Sequence, residues 1–241
     1  MSSADNLAKL EAIEAALNKR WPENKIEPTL DRISALVDAL GSPQLSYPTI
    51  HLAGTNGKTT TARMIDQLLA NLGYRVGRYT SPHLESFTER ISIKGEPISA
   101  AQMIATYDDI ALYLDLIDSR QPHPISYFEA LTAMAFVAFA EFPVDIAVIE
   151  AGLGGEWDAT NVVSSQVSVM TPIGFDHMEY LGNTLTEIAQ TKSGIFKPES
   201  NVVLAAQNSE VAKVLMAQVA KVSAIPFREG VEFSVKKRSL A

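Results

Sequence analysis

Apolar residues in this chain fall into two patterns that alternate along its length: short dense runs and longer stretches at helical spacing. The runs at 49–53, 144–150, 166–171 and 201–206 are nearly continuous in apolar residues, as expected of strands covered on both faces. At the start, Leu7, Leu10, Ile13, Leu17 and Trp21 predict one amphipathic helix. Leu30, Ile33, Leu36, Val37 and Leu40 predict a second, starting near Pro28 and stopping at Gly41. Ala62, Ile65, Leu68, Leu69 and Leu72 repeat on a third, which ends at Gly73. Residues 75–82 read as a further strand, and 89–99 as a short hairpin or exposed loop turning at Lys94-Gly95. Ser99 caps a long helix carrying Met103, Ile104, Tyr107, Ile110, Leu114 and Ile117. Ser126 to Glu129 form a capping box for the next helix, and Thr184 with Glu187 form another. A last helix runs from Ser209 to about Val222, and the tail from Phe227 has the look of a further strand cut short. Strands alternating with helices give an α/β fold with a doubly wound, mostly parallel sheet.

One junction in this pattern carries chemistry. The first strand stops at AGTNGKTT (53–60), a Gly-rich turn that runs straight into the third helix. Gly54 and Gly57 allow the backbone to turn its N–H groups inward, and the helix N-terminus adds partial positive charge behind them. Lys58 can reach the outer phosphates of a nucleotide, and the Thr59 hydroxyl can ligate Mg²⁺. The full P-loop pattern wants another Gly where this chain has Leu52, so only the compact G-x-x-G-K-T core is present. Its strand-turn-helix context makes nucleotide binding the working expectation, in a P-loop NTPase-like architecture.

Composition narrows the options. With 241 residues and 46% hydrophobic content the chain can form one large α/β domain, or one domain with a small extension. A net charge of −8 and the lack of any dense Lys/Arg run argue against a nucleic-acid binder. The absence of Cys removes disulfides, thiolate nucleophiles and thiolate metal sites. The first 21 residues have no unbroken apolar core, so they read as a helix rather than a signal peptide. No stretch reaches the length of a membrane span. The expectation is a cytoplasmic protein with no membrane partner.

Ligands in open α/β sheets sit beyond the C-terminal ends of the strands. Three further polar clusters fall there: Thr80-Ser81-Pro82-His83, Glu150 with the glycines that follow it, and Asp176-His177. Read singly, each could be a turn, a solvated strand end or a loop histidine. Together with the phosphate loop they predict a Mg²⁺–ATP site.

The strings AGTNGKT (53–59), TSPHL (80–84), ERISI (89–93), SYFEALTAMAF (126–136), EAGLGGEWDATNV (150–162), TPIGFDH (171–177) and KSGI (192–195) occur in one order over nearly the whole chain. In this the chain resembles the Mur-ligase superfamily, and within it the folylpolyglutamate synthase/dihydrofolate synthase group of actinobacterial type. TSPHL, YFEALT and GLGG-WDATN separate the folate enzymes from the cell-wall ligases. The resemblance implies the Mur-ligase central-domain fold and an ATP-dependent ligase of folate metabolism. ATP would phosphorylate the carboxylate of dihydropteroate or a reduced folate, and the amine of L-glutamate would attack the acyl phosphate. It also implies roles for residues. Gly54, Thr55, Asn56, Gly57, Lys58, Thr59 and Thr60 would hold the triphosphate. Ser81 and Glu150 would ligate one Mg²⁺, with Thr59 as a direct or water-mediated ligand. His177 would hold a second Mg²⁺, supported by Lys192, which matches a lysine carbamylated in the family. Lys58, Lys192 and His177 are thus the expected catalytic set. Pterin or folate contacts would come from the loop before Leu30, from Ser126, Tyr127, Phe128 and Glu129, and from Trp157, Asp158 and Ala159. For Ser126 and Glu129 a helix cap and nothing more is an equal alternative.

Two positions depart from the family pattern. Glu156 stands where Arg is common, and Thr191 where Glu is common. Family members also carry a C-terminal α/β domain that helps bind adenosine and glutamate. The expected organisation is therefore a Mur-ligase-like ATP-binding domain at 1–225, including the N-terminal helices at 5–41, and the start of a linker at 226–241 toward a domain missing from this chain. The alternatives are a truncated, catalytically silent nucleotide-binding module or, less well matched, a Mur-type cell-wall amino-acid ligase.

Overall fold

The computed structural model describes residues 3–22, 25 and 27–236. Residues 237–241 of the expected linker and parts of the loop before Leu30 lie outside them. Among the described residues eight strands form one sheet: β1 Thr49–Ala53, β2 Val76–Tyr79, β3 Ile91–Ile93, β4 Glu96–Pro97, β5 Ile146–Glu150, β6 Val167–Met170, β7 Asn201–Leu204 and β8 Ile225–Arg228. Their order is β4-β3-β2-β5-β1-β6-β7-β8. The six strands from β2 to β8 in that order are parallel; β3 alone is reversed, antiparallel to both β2 and β4. The β3–β4 turn is Lys94-Gly95, both at positive φ, as a two-residue hairpin requires.

Among the described residues there are eight α-helices: α1 Ser3–Asn18, α2 Asp31–Ala39, α3 Lys58–Asn71, α4 Ala100–Asp118, α5 Tyr127–Glu141, α6 Met178–Leu181, α7 Leu185–Ser193 and α8 Ser209–Lys221. Helix α5 is apolar all round and correspondingly buried, from Ala130 to Phe139, between the sheet and the layer of α1, α2 and α4. On the opposite face α3 sets Ala62, Ile65 and Leu69 against Leu52, Val76 and Val148. Helices α7 and α8 cover β6 and β7 through Ala189, Val211, Leu215 and Val219. Among the described residues no helix is long and apolar enough to cross a membrane.

Several local expectations shift. Helix α1 ends at Asn18, so Trp21 lies beyond it, bridged to Ser126, and Leu7 faces solvent. Helix α2 begins at Asp31 rather than near Pro28, and the Asp31 amide donates to the Thr29 hydroxyl at 3.1 Å. On α3, Leu68 and Leu72 point outward, while Asp66 turns inward to meet Arg78 at 2.9 Å. Strand β8 pairs with β7 along its length, so residues 226–228 belong to the sheet rather than to a linker.

Candidate active site

The C-terminal ends of β1, β5 and β6 lie side by side at the centre of the sheet, and each delivers part of one site. The loop after β1 is held from below. Thr55 and Asn56 donate their amides to the Pro172 carbonyl, at 3.0 and 3.2 Å, and the Thr55 hydroxyl donates to Gly174. Gly54 has φ +140°, and a Cβ there would sit 2.0 Å from the Thr171 hydroxyl oxygen, so no other residue fits. Gly57, at φ +83°, leads into α3 with no side-chain cap. The first-turn amides of α3 have no intrahelical acceptor and are open to an anion.

Two ammonium groups converge behind this loop. Lys58 Nζ donates to the Gly54 carbonyl at 3.0 Å and Lys192 Nζ to the same oxygen at 3.1 Å. Lys192 is buried, and burial together with the Lys58 charge pulls its amine down to about 8. In front, the Thr59 hydroxyl donates to both oxygens of Glu150, at 2.9 and 3.0 Å. Glu150 ends β5 and is 1% exposed. Burial raises its carboxyl to about 7, against the hydrogen bonds from Thr59 and the Ser81 amide and the nearby charges of Lys58 and Arg78. The described residues contain no cluster of three or more His, Asp or Glu that would cage a metal. The donors present are hydroxyl and a single carboxylate, which fits Mg²⁺, an ion that keeps waters and takes phosphate oxygens for the rest of its shell.

Ser81 and His177 open onto a cleft of about 500 Å³, whose other walls include Phe128, Glu129, Trp157, Asp158 and Ala159. His177 sits in the left-handed region at φ +45° with its Nε2 3.5 Å from Asp176. Of the residues expected at a substrate site, Ser126, Phe128, Glu129, Trp157, Asp158 and Ala159 line this cleft. Tyr127 does not; it is buried beneath it, with the Arg90 guanidinium 5.2 Å above its ring. The Ser126–Glu129 capping box is formed in both directions, and both residues also face the cleft. Glu129 further accepts from Arg32 Nε at 3.1 Å.

The loop from Gly152 to Asp158 forms the wall next to Glu150. Gly155 lies so close to α7 that a Cβ would meet the Lys192 carbonyl oxygen at 2.5 Å, and Gly194 meets Glu156 in the same way. The Glu156 amide donates to Thr191 O at 2.8 Å. The Glu156 side chain is exposed and does not line the cleft, and the Thr191 hydroxyl returns to its own helix at Glu187 O. The Asp158 carboxylate accepts from the Leu153 amide at 2.7 Å, the Thr160 amide at 2.9 Å, the Gly152 amide and the Thr160 hydroxyl.

Of three further residues of interest, Arg32 and His51 carry no signal in the sequence and Arg90 carries one. Arg32 and Arg90 line the cleft, and Arg90 Nε donates to His83 Nδ1 at 2.9 Å. Arg90 stood inside a recognised string, ERISI, which was the one signal available. His51 is hidden in a strand that reads as apolar.

The chain matches the family model described as Mur ligase middle domain over residues 52–238. It is 50% identical to the dihydrofolate synthase/folylpolyglutamate synthase of Mycobacterium tuberculosis, over 98% of this chain and 51% of that protein. A crystal structure of the Mycobacterium tuberculosis folylpolyglutamate synthase with ADP and AMPPCP superposes with a TM-score of 0.91 at 50% identity, covering 98% of this chain and 53% of that one. An FPGS–AMPPCP–folate complex superposes at 0.89 with 36% identity, over 100% and 57% of the two chains. The chain thus spans about half the length of the relatives it matches. It belongs to the Mur ligase middle-domain family.

Proposed function

We propose that this chain is the ATP-binding half of a folylpolyglutamate/dihydrofolate synthase. The observation that carries this reading is the continuity of two sites. An uncapped helix terminus with Lys58 is joined through Thr59, Glu150 and the Ser81 amide to a cleft walled by Phe128 and Trp157. A nucleotide phosphate and the carboxylate of an aromatic acid can therefore meet at the Ser81–His177 boundary. The relatives' printed names, and the nucleotide and folate held by the neighbouring structures, agree with it.

In the reaction a carboxylate oxygen of dihydropteroate or a folate attacks the γ-phosphorus, and the bond to the β–γ bridging oxygen breaks to release ADP. The amine of L-glutamate then attacks the acyl carbon, loses its proton and expels phosphate. Mg²⁺ bound at Thr59, Ser81 and Glu150, and a second ion at His177, would neutralise the anions that must approach each other. Lys58 and the loop amides from Gly54 to Thr60 orient the triphosphate. Lys192, buried and partly neutral, is suited to take up CO₂ as a carbamate: the ammonium loses one proton to become the amine, and the amine loses a second as its nitrogen bonds the CO₂ carbon, which turns a cation into an anion beside the second ion. Glutamate's site and closure over the phosphates belong to a C-terminal domain, so the 241-residue chain alone is expected to bind nucleotide without ligating.

Titration with a fluorescent ATP analogue tests the reading. Lys58→Ala removes a charge-assisted hydrogen bond worth about 1.5–3 kcal/mol, so affinity should fall roughly ten- to hundredfold. Equal affinity of the two proteins would sink the assignment. ADP release with product mass detection, with and without a C-terminal domain supplied in trans, tests the ligase half.

A further inference from the structure

His51 lies in the middle of β1, completely buried, on the face turned away from α3. A polar ring costs several kcal/mol to bury without partners, so its partners matter. Its Nε2 is 2.8 Å from the Thr160 hydroxyl oxygen, and its Nδ1 has no hydrogen-bond partner among the described residues. Thr160 is itself fully buried, and its hydroxyl makes a short contact with Asp158 Oδ1. A hydroxyl has one proton to give. Burial pushes the Asp158 carboxyl up, but the backbone amides of Gly152, Leu153 and Thr160 all donate to its oxygens, so the geometry makes it the acceptor and the Thr160 proton goes to Asp158. The Thr160 oxygen must then accept from His51, and this requires the Nε2–H tautomer. With the proton on Nδ1 instead, Nε2 would compete for the Thr160 proton and take it from Asp158.

We propose that His51 is a positioning residue for the cleft wall: its Nε2–H orients the Thr160 hydroxyl toward Asp158, and Asp158 in turn holds the Gly152–Leu153 amides against Phe128. The geometry of this wall decides how an aromatic ligand seats, since Gly152, Leu153 and Asp158 all line the cleft and a Cβ on Gly152 would already meet the Phe128 ring at 2.5 Å. Burial keeps the ring neutral at physiological pH, in agreement with a fixed tautomer. The functional part of this inference rests on the folate-site reading above; the proton arrangement does not.

The experiment is ¹⁵N NMR of the imidazole combined with amide hydrogen exchange and folate binding. Wild type should show one protonated ring nitrogen, Nε2, hydrogen-bonded and slow to exchange. His51→Leu should speed exchange of the Leu153 amide and weaken folate on the order of tenfold, the loss of about one buried hydrogen bond, while AMPPCP affinity is unchanged. His51→Gln, which keeps an N–H donor, should restore both. Thr160→Val breaks the same chain and serves if His51→Leu does not fold; combined with it, the effects should be non-additive. A proton on Nδ1, or Leu153 exchange equally fast in the Gln and Leu variants, would overturn the inference. If wild type binds no folate, the folate-site reading fails while the tautomer and the Leu153 amide still decide the positioning role.

Discussion

Gly155→Ala isolates the contact between the cleft wall and the helix that carries Lys192. The backbone at Gly155 is not in the left-handed region, so an Ala costs nothing in φ. What it meets is three backbone atoms: Lys192 O at 2.5 Å, Thr191 O at 2.8 Å and Lys192 Cα at 2.9 Å. None can rotate away, so close to an ångström must open between the loop and α7. Overpacking of this kind costs about 1–3 kcal/mol, and separation also weakens the Glu156-to-Thr191 hydrogen bond at 2.8 Å, adding roughly 1 kcal/mol. For a domain of this size each kcal/mol lowers Tm by about 2–4 °C, so a fall of roughly 4–16 °C is expected. The same displacement carries Lys192 Nζ away from Gly54 O, its hydrogen-bond acceptor at 3.1 Å. Fluorescent nucleotide affinity should drop together with Tm. Gly41→Ala is the control: its φ is +82° but nothing lies within 4 Å, so it costs about 1–2 kcal/mol of backbone strain and leaves nucleotide binding alone. Scanning calorimetry and titration read both. A Gly155→Ala protein with wild-type Tm and affinity would show that loop and helix are not locked as described.

Arg32→Ala strands Glu129, 4% exposed, without its guanidinium; denaturant unfolding should show a loss of about 3–5 kcal/mol, and a much smaller loss would mean the pair is solvated. His51 is depressed to about 3 by burial first and the Lys197 charge second. Because the folded protein resists protonating it, its contribution to stability is complete above about 6.5 and is lost as pH falls from there toward 3. Urea unfolding of wild type and His51→Gln from pH 7 to 4 should give a steeper loss for wild type; parallel curves would refute it. With its amine near 8, Lys192 should give a carbamate ¹³C signal from labelled bicarbonate that grows as pH rises through that value and is absent in Lys192→Arg; no signal at any pH counts against modification.

The strands that carry the site were legible because their burial on both faces leaves a nearly continuous apolar run, and the phosphate loop because its glycines answer a backbone need at fixed spacing. Strand β8 was not. As an edge strand it exposes Ile225 and Phe227 and includes Pro226, so neither run nor alternation marks it. Arg32 in the cleft and His51 behind its wall were illegible for another reason. Arg32 is placed by Glu129, 97 residues away, and His51 by Thr160, 109 residues away, so no local pattern announces either. Tyr127 shows the opposite error: membership of a ligand-lining string places a residue on the right turn of helix without saying which side of that turn faces the cleft.

The position of β1 has a consequence for how the domain opens. With β2, β5, β6 and β7 outside it on either hand, β1 is interior to the sheet, while β4 and β8 are its edges. Local opening starts where hydrogen bonds face water, so the β3–β4 hairpin and β8 will exchange their amides first and the β5–β1–β6 trio last. The phosphate loop, Glu150 and Thr171 hang from that trio. Nucleotide binding will therefore survive fraying at both flanks, and partial unfolding that reaches the site will come only with collapse of the whole sheet.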